Sequence, residues 1–313
     1  MKTAMKRQSY QIALTFEAAI LLFLLTPGPQ TSGQTTGTVR AKTISLGIVS
    51  QRAQAEVEKQ YRDFVRYVAQ KLSPGSAVEG KVVVAPTVWQ LAKLLEEKKV
   101  DFYMDSPYPT YLINRQGAAI ALLRRWKGGN AEYRSILFMK KDRDITRLED
   151  LRGKIIAFED PGSTSGYFLP KVFLVTKGFK LAEKSAPEAN VAPTEVGYIF
   201  TYSAEKIVDL VLSNKVAAGA FSNEDYERLD AKRRADTAIL GETENFPRHF
   251  LSIRKELDPA LANRIEEILL SMHQDDEGRK ILQKIDNTTK FDVLPGGEEV
   301  VRRKLIDVFG LRE

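Results

Sequence analysis

The sequence predicts an α/β fold of two lobes with a ligand cleft between them. Three observations predict it. Short β-rich runs alternate with helical runs from Thr43 onward. The alternation forms two blocks, each too small to be the whole chain. Several strands run directly into segments rich in hydroxyl and glycine residues. Alternation of this kind gives mainly parallel sheets. Small ligands settle between lobes and at the carboxyl ends of such strands.

In the first block Thr43–Val49 reads as an apolar strand. Ala53–Leu72 reads as a helix, because Val57, Tyr61, Phe64, Val65 and Val68 recur at helical spacing. Lys81–Ala85 is a strand and Val88–Lys98 a helix whose closing lysines suit its dipole. Val100–Met104 (strand), Pro107–Arg115 (helix) and Ala118–Leu123 (strand) follow. After the turn at Gly128-Gly129-Asn130, Tyr133–Lys140 reads as one further strand. The second block runs through Lys154–Phe158, Glu195–Ile199, Ala217–Phe221 and Ala238–Leu240 as strands. Its helices are Ser165–Lys177, Ala204–Ser213 and Glu224–Arg233. The tail is helical over Pro259–Met272, Glu277–Ile285 and Glu298–Phe309, with Asp258 and Pro259 as a start signal.

Composition narrows the chemistry. The chain has 313 residues, 43% hydrophobic and 28% charged, in the ordinary globular range. It has no cysteine, which excludes disulfides, thiolate nucleophiles and cysteine-held metal centres. It has two histidines, His249 and His273, too few for a multi-histidine metal site. No cofactor and no metal are expected. The net charge of +6 is spread along the chain without a basic block, which argues against nucleic acid as a partner.

Residues 1–33 read as an address. Lys2, Lys6 and Arg7 precede an apolar run from Ile12 to Leu25, broken once by Glu17, and Thr26-Pro27-Gly28-Pro29 ends it. These are the parts of a secretory signal. The run falls short of the about 20 apolar residues of a membrane span. Export is expected, with this segment cleaved or kept as an N-terminal anchor.

The richest loop is Glu159–Tyr167, where a strand leads through Pro161-Gly162 into Ser163, Thr164, Ser165 and Gly166. A helix starting there exposes unpaired N–H groups and a partial positive charge. Three hydroxyls add donors, and Gly166 admits a close approach to the backbone. Together they suit a tetrahedral oxyanion. The loop lacks the lysine and spacing of a P-loop, and Thr164 stands where a hydrolase elbow needs serine. A hydrolase would need His249 as base for Ser163 or Ser165. In the first lobe Ser106 stands as an N-cap before Pro107, with Tyr108 placed to donate its hydroxyl. Asp105 beside them is a carboxylate able to accept a proton-bearing oxyanion. Tyr202, Ser203 and Asn223 follow two second-lobe strands and are further candidate ligand groups.

Asp160-Pro161-Gly162-Ser163-Thr164-Ser165-Gly166-Tyr167, after Leu151-Arg152-Gly153-Lys154, resembles the hallmark of the periplasmic solute-binding proteins of phosphate, phosphite and phosphonate ABC importers. Tyr133–Ile145 and Asp276–Leu282 also look like segments of that family, and the similarity runs from about Thr43 to the C-terminus. The resemblance implies a type II periplasmic binding fold. It implies lobe 1 over 34–135 and 246–313, lobe 2 over 136–245, and chain crossings near Arg134–Lys140 and Phe246–Ile253. It implies a monomeric exported protein that captures a small phosphorus oxyanion and hands it to an ABC permease in the inner membrane. The alternatives are a periplasmic sensing subunit for a receptor kinase and an enzyme on the same fold. Two positions depart from the family. Ala204 stands where phosphonate binders place a histidine, and Val216–Ala220 lacks their acidic residue. Both departures argue against an aminoalkyl substituent on the ligand.

Overall fold

A computed structural model describes residues 43–73, 78–141 and 144–310. The expected export segment lies outside these residues. The first block folds as β1 (Thr43–Val49), α1 (Gln54–Leu72), β2 (Glu79–Ala85), α2 (Val88–Glu96), β3 (Phe102–Asp105), α3 (Pro107–Asn114) and β4 (Ala119–Arg125). Then come β5 (Glu132–Tyr133), β6 (Ser135–Lys140), β7 (Ile155–Phe158), α4 (Leu169–Thr176), β8 (Lys180–Glu183) and β9 (Glu195–Phe200). The chain continues with α5 (Ala204–Leu212), β10 (Ala218–Ser222), α6 (Asn223–Glu227), α7 (Ala231–Ala235), β11 (Thr237–Glu242), β12 (Phe246–Pro247) and β13 (Phe250–Arg254). It ends with α8 (Pro259–Ser271), α9 (Asp276–Lys284), β14 (Phe291–Val293) and α10 (Glu298–Phe309).

Two six-stranded sheets carry the fold. Their orders are β14-β4-β13-β3-β1-β2 and β11-β6-β10-β7-β9-β8. In the first, β1 runs parallel to β2 and β3, while β13 pairs antiparallel with β3 and β4. In the second, β7 runs parallel to β9 and β10, while β6 is antiparallel to β10 and β11. Between them β5 and β12 form a two-stranded antiparallel ribbon, Phe246 opposite Tyr133. The chain leaves the first sheet through β5 and returns to it through β12.

The expected apolar face of α1 is buried. Val57, Phe64, Val65 and Val68 pack with Ile44, Leu46 and Val82 of the sheet and with Ile265, Leu269 and Leu282 of the tail helices. A second cluster joins the halves. Phe309 of α10 meets Tyr108, Tyr111, Phe168 and Phe246, with ring centroids 5.1–5.8 Å apart. Asp258 caps α8 as expected, accepting from the Leu261 N–H at 3.0 Å.

Several elements differ from the sequence reading, among them Glu224–Arg233, which is the two short helices α6 and α7, and Phe250–Arg254, which is strand β13. Tyr133–Lys140 is two strands, because Arg134 turns its backbone to Asn223. The Arg134 N–H donates to Asn223 Oδ1 at 3.0 Å, and the Asn223 N–H donates to the Arg134 carbonyl at 2.9 Å. The helix expected over Ser165–Lys177 begins with a widened π turn over Thr164–Phe168 before α4. There the Phe168 N–H reaches back to the Ser163 carbonyl at 3.0 Å, and Pro170 in the next turn has no N–H to give. The short edge strands β8 and β14 were not foreseen, since neither four nor three residues set up a readable alternation.

Candidate functional site

Asp105 ends β3, the Glu159–Gly166 loop follows β7, Tyr202 and Ser203 follow β9, and Asn223 follows β10. All are at carboxyl ends of strands, where such sheets hold ligands. The Thr164 loop meets the start of α3 directly. Thr164 is 2% exposed. Its Oγ1 accepts the backbone N–H of Tyr108 at 3.0 Å and donates to Ser106 Oγ at 3.0 Å.

The other expected groups have separate duties. Ser163 caps the π turn, accepting from the Gly166 N–H at 3.0 Å and donating to Glu159 Oε2 at 2.8 Å. Ser165 is buried, and its carbonyl accepts from Ser135 Oγ at 2.7 Å. Gly166 is needed for a reason other than ligand approach. A Cβ there would lie 2.6 Å from Glu159 Cβ and 2.8 Å from Ser163 Oγ. Ser106 holds the N-cap position of α3 without capping it through its side chain. The ring of Tyr108 stacks on Phe168 at 4.0 Å, so it packs the halves together. Ser203 caps α5 through the Lys206 N–H at 3.3 Å, and Asn223 is tied to Arg134. Tyr202 is 73% exposed. Its backbone is left-handed at φ 57°, and its N–H donates to the Glu159 carbonyl at 2.7 Å.

The structure adds residues that sequence reasoning missed. They come from the crossing segments. Tyr133 is 2% exposed, and its hydroxyl makes no well-aligned hydrogen bond, although the hydroxyls of Thr164 and Ser165 are near enough to act on it. Arg248 lies over the Tyr133 ring, 4.4 Å from its centroid, and its Nε donates to buried Glu224 Oε1 at 2.9 Å. Asn130 Nδ2 donates to the same oxygen at 3.1 Å. Lys127 pairs with Asp286 at 3.7 Å, while Arg125, 1% exposed, bonds Asp286, Thr288 Oγ1 and the Ile285 carbonyl. No local pattern in the sequence singles them out, since Lys127 and Arg134 share the first crossing with Glu132, and Arg248 follows Glu242 and Glu244 in the second.

Burial sets the charges. It pushes the Asp105 carboxyl up to about 6, held down in part by the Ser106 N–H and by Lys127. Asp105 Oδ1 accepts that N–H at 2.7 Å. Burial also lowers the Lys127 ammonium and raises the Glu159 carboxyl. His249 is driven well below 6.5, first by burial and then by Arg125, Lys127 and Arg248, so it is neutral at pH 7. Its Nδ1 is buried without a partner, and Ser163 is engaged by Glu159. No Ser–His pair forms among these residues.

A cavity of about 820 Å³ opens elsewhere, at the amino ends of β1 and β2, lined by Thr43, Glu79, Lys99 and Asp101 among others. It sits at the wrong end of the strands for this site. Among the described residues no group of three or more His, Asp or Glu could hold a metal ion. Among them, too, no helix is long and apolar enough to cross a membrane.

Two α/β sheets joined by a crossing ribbon, with a hydroxyl loop facing a helix terminus, define a type II periplasmic binding protein. Residues 46–294 match the family of ABC transporter, phosphonate, periplasmic substrate-binding proteins, and the chain belongs to it. It is 26% identical over 190 residues to the phosphate-import protein PhnD of Mycolicibacterium smegmatis, covering 59% of this chain and 57% of that one. It is 21% identical over 255 residues to the phosphonates-binding periplasmic protein of Escherichia coli, covering 78% and 70% respectively. Among solved structures it is similar to XAC2383 of Xanthomonas citri bound to chloride ion, with TM-score 0.77, 25% identity, and 85% and 96% of the two chains covered. PhnD1 of Prochlorococcus marinus in complex with methylphosphonate shares the fold at TM-score 0.58 and 17% identity, over 84% and 98%.

Proposed function

We propose that the protein is an exported solute-binding protein that captures a small phosphorus oxyanion for an ABC importer. The observation that carries this reading is the Tyr133 hydroxyl. It is a buried donor without a well-aligned partner, beside the hydroxyls of Thr164 and Ser165. A buried polar group left unpaired costs stability, so such a group points to an acceptor from outside the chain. The Arg248 guanidinium over the Tyr133 ring favours an anion as that acceptor. The relatives' names, phosphate import and phosphonates binding, point to the same class of ligand.

Capture needs no bond-making step. The ligand touches groups from both sheets, and contacts made only when the halves are together favour the closed arrangement. The ribbon of β5 and β12 serves as the hinge. Closure presents a changed surface to a permease in the inner membrane. The reading is tested by calorimetry on the mature domain with phosphate, phosphite, methylphosphonate, 2-aminoethylphosphonate and sulfate. Binding of at least one phosphorus anion is expected. No heat with any of them at millimolar concentration would overturn the proposal.

A further inference from the structure

The last helix, α10, touches both halves and the ribbon between them. It packs on α3 and β4 of the first half. Its final residue, Phe309, is wholly buried. The Phe309 ring lies 5.5 Å from Tyr108 and 5.8 Å from Tyr111, both on α3. It lies 5.6 Å from Phe246 of the ribbon and meets Phe168 of the π turn edge-on at 5.1 Å. One turn earlier, Lys304 covers the same Phe246 ring at 4.7 Å, and its Nζ donates to the Asn245 carbonyl at 3.5 Å. The helix is therefore fixed to the first half and to the ribbon, and its tip reaches the second half.

Phe168 belongs to that second half, because the π turn follows β7. Its ring also stacks on Tyr108 at 4.0 Å. Tyr108, Phe309 and Phe168 thus form a triangle of rings, two from the first half and one from the second. Two sides of the triangle cross between the halves. Thr164, which bonds the Tyr108 N–H, stands four residues before Phe168 in the same turn. Parting the halves at that bond draws Phe168 away from Tyr108 and Phe309 together. Opening then returns buried aromatic surface to water, which opposes it.

We infer that α10 is a clamp built into the fold: Phe309, anchored on the first half, holds Phe168 of the second and so sets the fraction of molecules whose halves are together before any anion arrives. This goes beyond the capture reading above, because every contact of the clamp is made by the chain's own rings. A residue that shifts the population of the binding-competent state scales the affinity for every ligand by one factor. A residue that touches the ligand changes different ligands unequally.

The experiment compares the native protein with Phe309→Leu and Phe309→Ala. Its first arm is X-ray scattering without added anion. Both variants should show a larger radius of gyration than the native protein. Melting temperatures establish that they are folded, and Phe309→Leu, which keeps the site filled, carries the test if Phe309→Ala does not fold. The second arm is calorimetry with phosphate and with methylphosphonate. In Phe309→Leu both should weaken by the same factor, roughly 3- to 10-fold, the span of a lost aromatic contact. An unchanged or smaller radius of gyration in folded Phe309→Leu overturns the inference. So do unchanged dissociation constants, or a loss confined to one of the two anions. If neither anion binds the native protein, the oxyanion reading fails, and the scattering arm decides the clamp by itself.

Discussion

The hydroxyl of Thr164 accepts the backbone N–H of Tyr108 at 3.0 Å, so a side chain after β7 completes a helix terminus after β3. That bond and the Thr164–Ser106 bond are polar contacts between the two sheets at their carboxyl ends. They make one loop a structural link between the two sheets.

Thr164→Val keeps the shape and deletes the bridge. The Tyr108 N–H then lacks its acceptor, which costs about 1–3 kcal/mol when buried. If the proposed site needs the two halves held together here, phosphate affinity should fall about 10-fold, because the loop loses both of its side-chain bonds to the start of α3. Thermal melting and calorimetry on the same sample check both effects. An unchanged dissociation constant would remove the loop from the site.

Asp105→Asn should stabilise the protein in a pH-dependent way. The carboxyl titrates near 3.8 ordinarily and at about 6 in the fold. Below 3.8 it is protonated in both states and costs nothing. Between the two values the unfolded chain releases the proton while the fold retains it, so stability declines as pH rises. Above 6 the full penalty holds, about 3 kcal/mol from the size of the shift. The variant should therefore melt higher than the native protein at pH 7 and equally at pH 3.5. A gain of the same size at both pH values would show that ionisation is not the cause.

Gly166→Ala drives a methyl into Glu159 and Ser163 Oγ. Overpacking of this kind costs typically about 1–3 kcal/mol. The lower melting point should be accompanied by weaker phosphate binding, since Ser163 and Thr164 share the distorted turn. Denaturant melts at fixed pH give the number. Full stability would mean the Glu159 side chain swings aside freely.

Glu224→Ala should be the most damaging of these changes. Glu224 is buried and holds Arg248 at 2.9 Å and Asn130 at 3.1 Å. Removing one partner of a buried pair costs about 3–5 kcal/mol, because the other charge stays behind. A loss below about 1 kcal/mol, the range of surface pairs, would show that Arg248 is hydrated instead.

If the β5–β12 ribbon is a hinge, the halves separate and close about it. X-ray scattering at saturating phosphate should then show a smaller radius of gyration than scattering without phosphate. Superimposable curves would argue for a rigid site.

The sequence made some parts of this site readable and hid others. The strand–helix alternation and the amphipathic face of α1 were open to inspection, because periodicity is local. So was the hydroxyl run of Ser163, Thr164 and Ser165. The division of labour among those three was not. Ser163 is claimed by Glu159, and only Thr164 crosses to the other sheet. Tyr133, Lys127, Arg248 and Glu224 come together through the pairing of β5 with β12 and the packing of α6 against the crossing. These are long-range contacts that no local pattern encodes. The placement of Tyr202 was hidden for a different reason. A left-handed residue there leaves the side chain in solvent, and nothing in Thr201-Tyr202-Ser203 announces that conformation.

Helix α3 opens Pro107-Tyr108-Pro109, and the prolines have no N–H. The Thr110 N–H turns back to the Ser106 carbonyl, and the Ser106 N–H serves Asp105. This terminus therefore has a single outward donor, the Tyr108 N–H, and Thr164 holds it. A ligand oxygen can use it only by exchange, one acceptor leaving as another arrives. The enthalpy of that exchange is small, because a hydrogen bond is broken for each one made. If the β5–β12 ribbon is a hinge, arrival must also wait for the halves to part, and the association rate would follow the fraction of molecules that are open. Pro109→Ala would add a second donor and relieve the competition. In the proposed site it would lengthen the residence of a bound anion, and a carrier that must surrender its cargo gains nothing from that.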